Sequence, residues 1–122
     1  MPNDFRFEDL EIWKKSIQIG NSLFDIADSI AERKKYRFAE QLNGAALSIS
    51  NNIAEGSGSM SNKDFANYLM IARKSLFECV NILHVLESRF LITHEERIKL
   101  YPQLVELSRS IYKFRQSLLK NI

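Results

Sequence analysis

Phe65, Leu69, Ala72, Leu76, Cys79, Leu83, Leu86 and Phe90 recur at alternating steps of four and three residues. That rhythm keeps one side of an α-helix apolar for nearly four heptads, and a strand with its two-residue alternation cannot use it. A helix with so long a seam is stable only when other helices cover it. The spacing therefore predicts an all-α chain, with a third helix over 62–91 as its central element.

The remaining segments supply the cover. From Leu10, a row through Trp13, Ile17, Gly20, Phe24, Ala27 and Ala31 marks a first helix over 8–32. A second apolar row, Ile12, Ile19, Leu23, Ile26 and Ile30, lies about 100° around the same helix. An arc that wide exceeds what one intramolecular core requires. The second row is therefore expected to hold another subunit. A second helix over 36–55 presents Phe38, Leu42, Ala45, Ile49 and Ile53, with small residues that favour close approach. Gly44 in its interior costs about 1 kcal/mol relative to Ala, and close packing is the expected compensation. Thr93 and Glu96 have capping-box spacing and open a fourth helix over 94–120, with a kink or break near Pro102. Short connections between the four make an up-down-up-down bundle, one domain over 1–122.

The stretch SNNIAEGSGSMSNKDF, from Ser50, joins the second helix to the third. Gly56 is placed to end the second helix in a left-handed cap, and Ser61 to cap the third with Asp64 as its acidic partner. Asn51, Asn52 and Ser57 can satisfy free backbone groups at this corner. Glu55 and Glu78 are expected to join a polar network holding it. A phosphate-binding loop needs a preceding strand and a Gly-Lys-Ser/Thr ending, and neither is present.

Catalytic and metal chemistry find no convergent set. A di-iron bundle needs Glu-x-x-His pairs, but Asn81 and Leu91 stand three residues before His84 and His94. Cys79 lies in the apolar seam and His84 about 140° away from it, too far around the helix to share a metal. Ser110 and Lys113 have Ser-x-x-Lys spacing without a further partner. No catalytic, cofactor or metal site, and no small-molecule substrate, is expected. One cysteine excludes an intrachain disulfide and fits a reducing cytoplasm. The charged N-terminal stretch lacks the apolar run of a signal peptide, and no segment is long and apolar enough to cross a membrane.

The net charge of +2 is too small to argue for nucleic acid, but its distribution is uneven. Residues 1–32 carry seven acidic and three basic side chains, and residues 33–122 fourteen basic and eight acidic. Arg33, Lys34, Lys35 and Arg37 form one basic cluster. Arg109, Lys113, Arg115 and Lys120 form another, with no acid after Glu106. Up-down topology puts the first near Arg89, Arg97 and Lys99, and the second near Lys63. Exposed aromatics for base stacking are few, Tyr36 and Tyr112 being the exceptions.

FEDLEIWKKSIQI near the start and QLNGAALSISNNIAEGSGSMSNKDFANYLMIARKSLFE through the middle resemble a bacterial family. It is the four-helix-bundle proteins encoded in intervening sequences of large-subunit ribosomal RNA genes. The likeness spans roughly residues 7–91. Its core is Asp9-Leu10 with Trp13, then Ser48-Ile49, Asn52-Ile53-Ala54-Glu55-Gly56, and Ala72 with Ser75-Leu76 and Glu78. The resemblance implies an up-down bundle assembling into a barrel-like homopentamer, with no enzymatic activity. A related branch, the accessory proteins of diversity-generating retroelements, associates with nucleic acid and a reverse transcriptase. This chain has Asn43 and Gly44 where the family places a basic pair, and Lys74 at a position usually small. Two functions are weighed. One is a homo-oligomer contacting RNA or another nucleic acid through Arg33, Lys34, Lys35 and Arg37, backed by Lys113, Arg115 and Lys120. The other is a protein–protein adaptor without nucleic acid.

Overall fold

A computed structural model describes residues 3–120. Among the described residues a 3₁₀ turn, Arg6–Asp9, precedes four helices and no strand is present. The helices are α1 (Glu11–Glu32), α2 (Tyr36–Ser57), α3 (Asn62–Ser88) and α4 (His94–Leu119). Each helix packs on its neighbours in the order α1–α2–α3–α4 and back to α1, and the backbones of diagonal helices stay more than 8 Å apart at Cα among the described residues. This is a square, up-down bundle. The α1–α2 and α3–α4 turns lie at one end. The α2–α3 corner, the 3₁₀ turn and the end of α4 share the other.

The inward row of α3 is buried from Phe65 through Leu69, Ala72, Leu76, Cys79, Leu83 and Leu86. Phe90 does not continue it. The helix stops at Ser88, and Phe90 sits beyond it at φ 59° with its side chain in solvent. The chain turns there because Leu91 and Ile92 fold back into the core in its place.

Both rows of α1 turn inward: the second row is core, and Gly20 and Ala27 of the first are buried beside it. Ile12, Ile19, Leu23 and Ile30 are buried within the single chain, Ile19 at 4% exposure, and Ile26 is half-buried against the same core. Ile17, from the row expected to face inward, is exposed. The wide arc is used up by α2 on one side, α4 on the other and the 3₁₀ turn at its start. Phe7 packs on Trp13 at 5.0 Å between ring centroids, covering the helix origin. The row through Ile12 and Ile30 is therefore core of the single chain rather than a free face for another subunit. Residues 8–10 also lie outside α1, 8 and 9 closing the 3₁₀ turn instead. Leu10 is extended and its carbonyl accepts from the Trp13 and Lys14 amides, so α1 starts at Glu11.

The α2–α3 corner departs from expectation at Gly56. It is not a left-handed cap; no glycine here has a positive φ, and α2 runs on to Ser57 with Gly58 capping it at φ −85°. Gly56 is required for closeness instead. A Cβ on it would lie 2.6 Å from Tyr68 Cβ and 2.8 Å from Phe65 Cδ1. Ser61 Oγ accepts from the Asp64 amide at 3.1 Å and starts α3. Asn52 Nδ2 donates to the Ser48 carbonyl and hydroxyl, and Ser48 meets Ser75 Oγ at 2.8 Å. Glu55 and Glu78 take no part in these hydrogen bonds and are exposed.

Thr93 and Glu96 form a reciprocal capping box at the start of α4. Pro102 does not break the helix, which runs continuously across it. Pro102 is exposed, so the carbonyl it leaves without a donor, that of Ile98, is near water and the loss is tolerated.

Gly56→Ala should force α2 and α3 apart and cost about 1–3 kcal/mol, as overpacking does in a tight core. Urea unfolding of the variant checks it, and an unchanged midpoint would show that the helices adjust freely.

Candidate nucleic-acid interface

Both turns at one end of the bundle end a helix in the same way. At the close of α1, the Lys34 amide donates to the Ala31 carbonyl and the Lys35 amide to the Ile30 carbonyl. At the close of α3, Phe90 donates to Glu87 and Leu91 to Leu86 in the same register. Each is a paired helix-ending turn whose central residue must be left-handed, a position normally given to glycine. Here it holds Lys34 at φ 62° and Phe90 at φ 59°. A non-glycine residue there costs about 1–2 kcal/mol. The strain puts a lysine and a phenylalanine at the two tips of one end.

Arg33 joins the turns. Its Nη1 donates to the carbonyls of Phe90 at 3.4 Å and Leu91 at 3.3 Å. Phe90 is 87% exposed, with Arg89 before it and Arg33 across the gap. Lys34, Lys35 and Arg37 are exposed, and none of them pairs with an acid among the described residues. Of the nearby acids, Glu87 and Glu96 are occupied, Glu96 in the cap of α4, while Glu32 and Glu95 are exposed. Glu87 accepts from Arg97 Nε at 2.5 Å and meets His94 Nδ1 at 3.1 Å. The Arg97 hydrogen bond, helped by His94 and opposed by partial burial, holds the Glu87 carboxyl below its ordinary value of 4.5. Arg97 therefore leaves the expected basic cluster, and Arg33 belongs to it while fixing its shape.

The second expected cluster is split. Arg115 is half-buried and donates from Nε to the Ala66 carbonyl at 3.1 Å, so it ties α4 to α3. Lys113 and Lys120 are exposed. Beside them the structure adds Arg73, which the sequence did not single out. Its guanidinium lies 4.9 Å from the Phe77 ring centre and 5.5 Å from that of Tyr112. Its Nε is buried without a hydrogen-bond partner. Phe77 is 54% exposed although it belongs to α3, and Met70 and Ile71 beside it are also exposed.

Among the described residues no three His, Cys, Asp or Glu side chains come together as metal ligands. Burial pushes the Cys79 thiol up to about 12, leaving it protonated and unreactive at neutral pH. No helix among the described residues is long and apolar enough to cross a membrane.

Residues 8–113 match the family described as 23S rRNA-intervening sequence protein. The chain belongs to that family. A crystal structure at 1.70 Å of a protein of unknown function from the S23 ribosomal protein family of Bacteroides thetaiotaomicron VPI-5482 has the same fold. The TM-score is 0.80 at 24% identity, over 85% of this chain and 97% of that one. A comparison with curated protein sequences finds no match. The family and the neighbouring structure carry no catalytic assignment.

Lys34→Gly and Phe90→Gly should each remove left-handed strain and raise stability by up to about 1 kcal/mol, after the entropy cost of glycine itself. Thermal melts should move up by a few degrees; a fall would mean that the replaced side chains hold the turns by packing. Glu87 supplies a pH effect of definite sign. Its folded-state value is lowered, so its contribution is complete above 4.5 and is lost as pH falls below it. Melts should show Glu87→Gln losing less stability than the parent between neutral pH and about pH 3.5. Equal losses would show that another carboxylate governs the acid limb.

Proposed function

We propose that the protein is a non-enzymatic homo-oligomer, five copies in a barrel as the resemblance implies, that contacts single-stranded RNA or DNA through the end bearing Lys34 and Phe90. The observation that carries this reading is the exposed Phe90 ring, held at a strained position among Arg33, Arg89, Lys34 and Lys35. An accessible aromatic face surrounded by unpaired cations is what a single strand needs, since bases stack on the ring while phosphates meet the cations. Local strain retained at an exposed tip points to a use for the side chain placed there. Lys113 and Lys120 at the opposite end are auxiliary contacts, since the Tyr112 ring beside Lys113 is only half exposed and already carries the Arg73 guanidinium. Family membership supports an RNA-related setting through its description alone.

The protein–protein adaptor remains a second reading because Met70, Ile71 and Phe77 leave apolar surface on the outside of α3.

Fluorescence anisotropy with a short single-stranded RNA decides between them. Phe90→Ala should weaken binding by roughly five- to a hundredfold, the range of about 1–3 kcal/mol for one stacked base. Lys34→Ala with Lys35→Ala should flatten the salt dependence by about 0.7 in log–log slope per lost phosphate contact. Binding unaffected by both changes would remove this end from the account. No binding by the parent chain would leave the adaptor.

A further inference from the structure

Two grooves flank α3, and their contents are complementary. Between α2 and α3 lies an open groove of about 780 Å³, lined by Tyr36, Glu40, Gly44, Ser48 and Glu78 among others. Gly44 at its floor is exposed, and a Cβ added there would meet nothing within 4 Å. The close packing expected to compensate for a glycine inside α2 is therefore missing within one chain. Glu40 and Glu78 are exposed and pair with no base among the described residues, while Arg37 stands at the Tyr36 end. On the other side of α3, towards α4, Phe77 and Tyr112 project around Arg73, with Lys74 and Arg109 exposed beside them and likewise unpaired.

The two surfaces also stand at the same height. Ser48 bonds to Ser75, and α2 runs antiparallel to α3. One turn back along α2, Gly44 is therefore level with Glu78, and so with its neighbour Phe77. Copies arranged around an axis parallel to the helices must join surfaces at equal height. In a square bundle the two grooves beside one helix face about 90° apart. A head-to-tail contact between surfaces at such an angle closes a ring of roughly four to five copies.

We propose that the occupant of the α2–α3 groove is a second copy of this chain, with Phe77 seated over Gly44 and Arg73, Lys74 and Arg109 facing Glu40 and Glu78. This rests on the homo-oligomer reading and assigns its interface. Each copy gives the aromatic, basic side of α3 to one neighbour and the acidic groove to the other. The end with Lys34 and Phe90 stays free.

Two variants test it by light scattering on a size-exclusion column. Gly44→Gln fills the groove with a good helix former where the single chain has open space. Phe77→Lys removes the projecting ring at an exposed position. Each variant alone should run at the mass of one chain, with an unchanged helical spectrum and a cooperative melt. Mixed, they should form a species of two chains and no larger, because one intact pair of surfaces remains. Variants that keep the parent mass, or a mixture that stays monomeric, would overturn this interface while leaving oligomerisation intact. A parent chain that is itself monomeric would overturn both. A Gly44→Cys, Phe77→Cys chain gives an independent readout, since the native Cys79 is buried. Oxidation should link chains into multimers on a non-reducing gel, and a gel showing single chains only would overturn the pairing.

Discussion

Everything else in the bundle is arranged around the burial of α3's inward row. Seven apolar positions from Phe65 to Leu86 leave solvent together, which requires apolar surface from both flanking helices at every level. α2 meets this at one end by coming close enough that Gly56 has no room for a Cβ beneath Phe65 and Tyr68. α4 meets it on the other side, where Phe114 packs edge-on against Phe65 at 5.5 Å. α1 then closes the square diagonally opposite α3. The burial of Leu23, Ala27 and Ile30 follows from that closure, since a helix facing a square core shows its apolar arc to two neighbours at once.

The helices were legible because their signals are local and repeated. The α3 rhythm, the Thr93–Glu96 box and the Ser61 cap each depend on residues within one or two turns. Features set by other parts of the chain were not legible. Gly56 reads as a cap because glycine usually buys left-handed freedom, whereas here it permits helix contact, and only the position of Tyr68 distinguishes the two. Phe90 continues the heptad spacing, yet the helix ends two residues before it because Leu91 and Ile92 bury better in that place. The arc on α1 overestimated what was left for another subunit, since a hydrophobic pattern counts apolar residues but does not count the surfaces that will cover them.

The basic clusters illustrate the same limit for charge. Arg33, Lys34, Lys35 and Arg37 are adjacent in sequence, and adjacency alone found them. Whether each is free depends on distant partners: Arg33 bonds to the α3–α4 turn, Arg97 is held by Glu87, and Arg115 serves the Ala66 carbonyl. The more informative aromatic, Phe90, is exposed through a backbone conformation that composition does not reveal. Arg73 has acids and bases near it in sequence, but it is defined by two rings, one of them on another helix.

The two surfaces proposed for assembly and for nucleic acid make a consistent whole because they occupy different parts of the molecule. A ring about an axis parallel to the helices turns every copy the same way, so every Lys34–Phe90 end would lie on one rim. A single end carries few phosphate contacts and one stacking ring, which is too little for tight binding at physiological salt. Repetition around a rim changes that without any new contact, because once one end engages a strand the others see it at a high effective concentration. The small net charge of the chain is then no argument against a nucleic-acid role. The acids of Glu40 and Glu78 would be covered between copies, and the charge that faces a strand is that of the rim alone.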